Sequence, residues 1–243
     1  MTPEPRLLSV VIPVCNEQEN VLPLAREIAA ALRSRMPIEI LFVDDGSSDG
    51  TVAAVRAARE ELPEIRLLRH SRRSGQSAAV HSGVRRARGT WVATLDGDGQ
   101  NDPADFPGML DALDATDAAV RLVMGNRVTR RDTWLRRMSS RVANGVRGWL
   151  LKDGTPDTGC GIKLMHRETF LELPFFDHMH RFLPALYQRQ GAKVISVPVN
   201  HRPRTRSTSK YGLHNRLWVG IVDMFGVMWL RSRFRPGLEV VEE

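Results

Sequence analysis

A mostly parallel α/β sheet with helices on both faces is the fold class this sequence predicts, and three features of the chain predict it. Short apolar runs alternate with helix-spaced segments through the first hundred or so residues, the signature of repeated βα units. Leu7-Leu8-Ser9-Val10-Val11-Ile12-Pro13-Val14 and Ile38 to Val43 are near-continuous apolar runs, as strands buried on both faces are. Each run ends in a loop rich in small and acidic residues, and the carboxyl edge of such a sheet is where open α/β folds bind ligands.

Taken in order, Leu7 to Val14 is the first strand. Asn16 to Arg35 follows, with Val21, Leu24, Ile28, Ala31 and Leu32 at helical spacing. Ile38 to Val43 runs into Asp44-Asp45-Gly46-Ser47-Ser48-Asp49-Gly50-Thr51, where Ser48 or Asp49 is expected to cap a helix over Thr51 to Leu62. Ile65 to Arg69 is the third strand, a small-residue helix spans Gln76 to Ala87, and Trp91 to Leu95 is the fourth strand. Asn101-Asp102-Pro103 opens the next helix with Pro near its first position. Further strands are expected at Val120 to Arg127 and Lys193 to Val199, with a helix opening at His180-Arg181-Phe182-Leu183-Pro184 between them.

The chemistry is concentrated in Leu95-Asp96-Gly97-Asp98-Gly99-Gln100. Two carboxylates and an amide oxygen, spaced by glycines, suit a hard, oxygen-preferring divalent ion such as Mg²⁺ or Mn²⁺, which substrate phosphates commonly complete. An acidic surface turn is the plain reading of the same residues, and it holds for Asp49 and for any loop taken alone. Three loops, however, fall at strand carboxyl ends together, so folding is expected to bring Cys15, Glu17, Asp45, Asp96 and Asp98 into one crevice.

Composition narrows the partners. At 243 residues with 42% hydrophobic content the chain can bury a sizeable core, and a net charge of +7 points to an anionic partner. The basic residues crowd into Arg127 to Arg147 and His201 to Arg235, and no zinc-finger, helix-turn-helix or aromatic stacking pattern accompanies them, so nucleic acid is the weaker choice. Cys15 and Cys160 lack C-x-x-C spacing, which gives neither a disulfide framework nor a zinc site and fits a reducing cytosol. No signal peptide is visible, so the mature chain is expected to start near Met1.

VIPVCNE, VDDGSSDGT, SRRSGQSAAVHSGVRRARG, LDGDGQNDP and the late RTRSTSKYG together resemble the family-two glycosyltransferases of GT-A fold, and the full chain resembles their polyprenyl-phosphate, dolichol-phosphate-mannose-synthase-like branch. The resemblance implies a Rossmann-like sheet over residues 1–212, with a nucleotide-sugar half at 1–128 and an acceptor half at 129–212, followed by a C-terminal interfacial or docking helix and tail at 213–243. It implies that Pro13, Cys15, Glu17, Val43 and Asp45 contact the nucleoside of a GDP- or UDP-sugar, and that Asp96, Asp98 and Gln100, with Gly97 between them, address the metal. Arg127, Arg204 and Lys210 fall by motif position on the donor diphosphate, and Arg136 with Ser140 on the lipid phosphate. Asp98 and Arg127 are then the catalytic candidates. Cys15 stands where the family usually has Tyr, and a thiol cannot stack on a base as a ring does; Ser207 stands where the basic loop usually has Gly.

The second half reads locally as well. Arg130 to Leu150 interleaves arginines with Trp134, Leu135, Met138, Val142, Val146 and Trp149, a basic amphipathic helix suited to a membrane surface or an acidic ligand, or else an ordinary solvated arginine face. Asp157-Thr158-Gly159-Cys160-Gly161-Ile162-Lys163 reads as a Gly-rich turn entering a short strand, with Cys160 a buried structural thiol. Leu217 to Leu230 is apolar except at Asp223; at ~1.5 Å per residue it is about 21 Å long, too short for a bilayer core of roughly 30 Å. It is expected to lie in the membrane interface or to cover the core, so that a spanning anchor would have to be a partner protein.

These readings add up to an inverting, metal-dependent glycosyltransferase that moves a sugar from a nucleoside diphosphate to a polyprenyl phosphate such as undecaprenyl or dolichyl phosphate. Its expected location is cytoplasmic and peripheral, on the inner face of the membrane. Transfer to a saccharide hydroxyl is the rival within enzymes, and a non-catalytic nucleotide- or membrane-binding module of the same fold is the rival outside them.

Overall fold

The computed structural model describes residues 7–128, 148, 150–151, 153–203 and 214–235. One seven-stranded sheet organises the chain in the order β3-β2-β1-β4-β6-β5-β7. Its strands are β1 (Leu8–Val14), β2 (Ile38–Asp44), β3 (Ile65–Arg69), β4 (Trp91–Thr94), β5 (Val120–Arg127), β6 (Lys163–His166) and β7 (Lys193–Val199). All neighbours are parallel except β6, which runs antiparallel to both β4 and β5. The carboxyl ends of β1, β2, β4, β5 and β7 and the amino end of β6 therefore meet at one edge of the sheet.

The apolar runs behave as buried strands should. In β1, Leu8, Val10, Ile12 and Val14 pack on the face covered by α1 (Val21–Leu32), α2 (Thr51–Glu61) and α4 (Phe106–Asp114). Val11 points the other way, toward α3 (Gln76–Arg86). That second face also holds α5 (Arg167–Leu171), α6 (Leu183–Arg189) and part of the C-terminal α7 (His214–Arg233). Burial on both faces is what the continuous apolar runs required.

Capping follows the sequence with small shifts. Gly50, not Ser48 or Asp49, is the N-cap of α2; Asp49 just before it accepts through Oδ1 from the Thr51 amide at 3.0 Å and from the Thr51 hydroxyl, while Asp44 Oδ1 takes the Ser47 amide in the turn before it. Asp102 accepts from the Ala104 amide at 3.0 Å and starts a 3-10 turn, Pro103–Asp105, that runs into α4.

α7 has two faces. Val227 is 1% exposed, and Met224, Met228 and Leu230 pack with it against the second core, while Val222, Phe225 and Trp229, at i, i+3 and i+7, are 66%, 60% and 59% exposed on the opposite side. On the docked side Arg189 Nε donates to the Leu230 carbonyl at 3.1 Å, and Asp223 Oδ2 lies 3.5 Å from His178 Nδ1. The core-covering expectation thus holds for one side of the helix, and the opposite side is exposed. No described helix is long and apolar enough to cross a membrane.

Candidate active site

The first two loops are stitched together before any ligand is considered. Pro13 pairs in register with Val43, and the Asp45 amide donates to the Val14 carbonyl at 2.9 Å. Asn16, at φ 56°, accepts the Ser48 amide at 2.7 Å and donates its own amide to Ser47 Oγ at 2.9 Å. The Glu17 amide donates to Thr51 Oγ1, and Glu17 Oε2 accepts from Asn20 Nδ2 at 2.7 Å. Cys15 is half-buried just beyond β1. Pro13, Cys15, Glu17, Val43 and Asp45 accordingly line the adjoining ends of β1 and β2.

Asp45 is buried and heavily engaged. Its Oδ1 accepts the Ser74 amide at 2.8 Å and lies 2.8 Å from His70 Nδ1, and its Oδ2 accepts the Gly75 amide at 2.8 Å. These amides are the last before α3, so one carboxylate fixes where that helix begins. The next residue, Gln76, donates its amide Nε2 to Asp96 Oδ1 at 2.7 Å. The start of α3 thereby ties the Asp45 loop to the Asp-Gly-Asp loop.

That loop is held from several sides. Asn101, itself buried, accepts the Asp96 amide at 2.9 Å, and Asp98 Oδ1 accepts the Gln100 amide at 3.1 Å. A Cβ on Gly97 would press on the Pro13 carbonyl at 2.9 Å, and one on Gly161 would collide with the Asp96 carboxylate, so glycine at both positions lets the three segments close up. The Gln100 carbonyl accepts the Arg202 amide at 2.9 Å, which hitches the chain leaving β7 to the acidic loop.

Electrostatics mark the same place. Burial, reinforced by the neighbouring charge of Asp98, pushes the Asp96 carboxyl above the usual carboxylate range. Lys163, fully buried, donates to the Cys160 carbonyl, and burial pulls its ammonium below the ordinary lysine value. Burial raises the Cys160 thiol, so it is the structural cysteine expected. Asp96 and Asp98, close enough in the loop for the charge of Asp98 to raise the Asp96 carboxyl, form an oxygen-donor set that fits a divalent cation. No ready-made group of three His, Cys, Asp or Glu donors exists among the described residues, so further ligands would come from Gln100 and a bound phosphate group.

Arg127 lies at the end of β5 and pairs with Asp157 through Nε at 2.6 Å and Nη2 at 2.8 Å. Burial alone would weaken the guanidinium's hold on its proton, but Asp157 outweighs it and raises the pKa. Sequence reasoning placed Arg127 on the donor phosphates and left Asp157 without a role; the structure gives each the other as partner. Gln76 and Gly161 stand in motifs without a role read from sequence, because their contacts to Asp96 are long-range, and the Asn101 bond to the Asp96 amide forms only when the loop turns back on itself. Arg136, Ser140, Arg204 and Lys210, with the basic helix and basic loop that carry them, lie outside the described residues.

His180 sits beside this cluster with Nδ1 2.7 Å from Ser77 Oγ, and burial, then the charge of Lys163, pushes its pKa well below 6.5. An unfolded chain takes up that proton near pH 6.5, whereas the folded one refuses it until lower pH. The contribution of His180 is therefore full above about pH 7.5 and is lost as pH drops below about 6.5, by at most about 1.4 kcal/mol per pH unit for that proton. His81, lowered by burial and by Arg85, acts in the same direction. Urea melts at pH 7.5 and 5.5 are expected to separate less in His180→Asn than in the parent; equal separations would show that His180 is not the group responsible.

With this geometry in hand, comparison with known proteins is direct. The sequence model of Glycosyl transferase family 2 matches residues 9–173. The chain is 36% identical over 237 residues to dodecaprenyl-phosphate galacturonate synthase of Rhizobium johnstonii, covering 95% of this chain and 69% of that protein. It is 33% identical to undecaprenyl-phosphate 4-deoxy-4-formamido-L-arabinose transferase of Edwardsiella ictaluri, covering 86% of this chain and 64% of that protein. The chain thus spans about two thirds of the length of these relatives. Among solved structures, glucosyl-3-phosphoglycerate synthase from Mycobacterium tuberculosis in complex with Mn²⁺, UDP and phosphoglyceric acid superposes with a TM-score of 0.70 at 18% identity, over 95% of this chain and 80% of that one, and this likeness shows the GT-A fold. The match over most of the chain, on a sheet whose acidic loops meet at one edge, makes this protein a member of glycosyl transferase family 2.

Proposed function

We propose that the chain transfers a sugar, with inversion, from a GDP- or UDP-linked donor to a polyprenyl phosphate at the cytosolic face of a membrane. The observation that carries this reading is the acidic edge itself, where Asp96 and Asp98 adjoin the Asp45 loop through Gln76 and α3. The names of the dodecaprenyl- and undecaprenyl-phosphate relatives support the acceptor.

Asp98, with Asp96 and Gln100, would hold Mg²⁺ or Mn²⁺, which when bound offsets charge on the departing diphosphate. Pro13, Cys15, Glu17, Val43 and Asp45 would seat the nucleoside, and Arg204 and Lys210 would reach the donor phosphates. A phosphate monoester has its second pKa at about 6, so the acceptor arrives ionised and needs no carboxylate base. The engagement of Asp45 by two amides and His70, and of Asp157 by Arg127, is what that chemistry permits. Arg136 and Ser140, at i and i+4, would hold the acceptor phosphate as a charged fork and a hydroxyl.

The test is incubation with Mn²⁺, polyprenyl phosphate and a panel of radiolabelled UDP- and GDP-sugars, followed by lipid extraction. Label in the lipid phase with one donor supports the reading. Label only in an added free saccharide would replace it with hydroxyl transfer, and no transfer alongside nucleotide binding would favour a binding module.

Membrane attachment belongs to the same proposal. The outward row Val222, Phe225 and Trp229, with Arg231 and Arg233 in the last turn, matches an anionic lipid surface. Flotation with anionic vesicles is expected at low salt, weakening at high salt. Phe225→Glu with Trp229→Glu, which alters only the exposed row, is expected to abolish it; unchanged flotation of that variant would remove this face from the contact.

A further inference from the structure

His70, Ser82 and Asp45 form a chain of which the reaction proposed above uses only Asp45. His70 Nδ1 lies 2.8 Å from Asp45 Oδ1, and His70 Nε2 lies 2.9 Å from Ser82 Oγ. The connectivity is that of a Ser-His-Asp triad, but the surroundings rule out nucleophilic work. Ser82 lies in the interior of α3, where the neighbouring backbone amides are committed to the helix and cannot form an oxyanion hole. Asp45 meanwhile carries two backbone amides of its own.

The hydrogen-bond inventory shows what the chain does instead. A carboxylate only accepts, so the Asp45 contact requires His70 to present Nδ1–H, and Nε2 of the neutral ring then accepts the Ser82 hydroxyl. Asp45 thereby sets the tautomer, and the Ser82 hydroxyl holds the other ring nitrogen in place. On Asp45, Oδ1 receives both His70 and the Ser74 amide, while Oδ2 receives the Gly75 amide; three of about four acceptor positions are filled. Among the described residues one position on Oδ2 has no donor, and its direction is set by the contacts to the other oxygen.

We infer that His70, held by Ser82, is a positioning residue for donor binding: it locks Asp45 so that the remaining acceptor position of its carboxylate meets the donor nucleoside. A base offering a ring N–H, as uracil and guanine do, is the kind such an acceptor recognises, whereas the ring nitrogens of cytosine and adenine present none in that role. The inference rests on Asp45 contacting the nucleoside, and the experiment separates the two.

Binding of UDP and of GDP, each with Mn²⁺, is measured by calorimetric titration for the parent, Asp45→Asn, His70→Ala, His70→Asn, His70→Gln and Ser82→Ala. For whichever nucleotide the parent binds, His70→Ala is expected to weaken binding at least about tenfold, with turnover at saturating donor within about twofold of the parent. His70→Asn places an amide N–H near the position of Nδ1 and is expected to recover affinity to within about threefold, whereas His70→Gln places its amide nearer Nε2 and is expected not to. Ser82→Ala is expected to weaken binding a few fold.

Parental affinity in a folded His70→Ala, with Asp45→Asn weakened, would overturn the role of His70 and leave the nucleoside contact standing. Parental affinity in both variants would overturn the contact itself. Lost turnover at unchanged affinity would also overturn the inference, as would equal affinities for the Asn and Gln variants, a comparison that holds even where His70→Ala fails to fold.

Discussion

Asp98→Asn is expected to lower sugar transfer by at least about a hundredfold at saturating donor, with the thermal midpoint of the protein nearly unchanged. Asp98 is half-buried on a loop at the sheet edge, outside the core, and its Oδ1 accepts the Gln100 amide at 3.1 Å. An asparagine carbonyl can keep that bond, so the loop retains its turn. What is lost is one of the two charges that would hold a divalent ion, along with the repulsion that helps keep the Asp96 carboxyl raised. Two measurements read the effect: labelled lipid product, and Mn²⁺ titration in the presence of the nucleotide. Weaker Mn²⁺ binding together with lost transfer assigns Asp98 to the metal. Unchanged turnover, with metal still required, would take Asp98 out of the ligand set.

The strand ends that carry this site were legible because a covered parallel strand has to be apolar along its whole length and stops where polar residues begin. β3, β5 and β7 fall at Ile65–Arg69, Val120–Arg127 and Lys193–Val199 as expected, and β1, β2 and β4 differ by a residue. α1 is shorter than expected, Val21–Leu32 in place of Asn16 to Arg35, since Asn16 and Glu17 spend their polar groups on the second loop. The place of β6 was not legible. A four-residue strand carries no pairing information, and only the fold shows that Lys163 enters between β4 and β5, beside Asp96.

The contacts that hold the acidic edge were hidden for a related reason. Local pattern marks a residue by its neighbours in sequence, whereas Asp45 meets His70, Ser74 and Gly75 across at least 25 positions, and Gln76 meets Asp96 across 20. Asp223 stands as the one exception in an apolar segment because its neighbour, His178, comes from a distant turn. Helical spacing did hold the two faces of α7, but an all-round apolar segment gives no way to tell which is docked.

Asp157→Ala is expected to destabilise the fold by about 3–5 kcal/mol, the usual cost of leaving one member of a buried ion pair alone. The Arg127 side chain is 13% exposed and that of Asp157 is 8% exposed, so water cannot replace the lost carboxylate at the guanidinium. Two side-chain hydrogen bonds disappear together, as does the long contact from the Arg127 amide to Asp157 Oδ2 at 3.4 Å. Asp157→Asn, which keeps an acceptor but not the charge, is expected to cost less. Removing both charges in Arg127→Met with Asp157→Asn is expected to recover part of the loss, because no unpaired ion then stays buried. Urea unfolding of the parent, Arg127→Met, Asp157→Asn and the double variant measures this cycle, with Asp157→Ala beside them, and donor titration of those that fold shows whether Arg127 also serves the diphosphate. A destabilisation in Asp157→Ala below about 1 kcal/mol would mean that the pair does not anchor the end of β5. Loss of donor affinity in the double variant, at recovered stability, would instead show Arg127 reaching the donor from an anchored position.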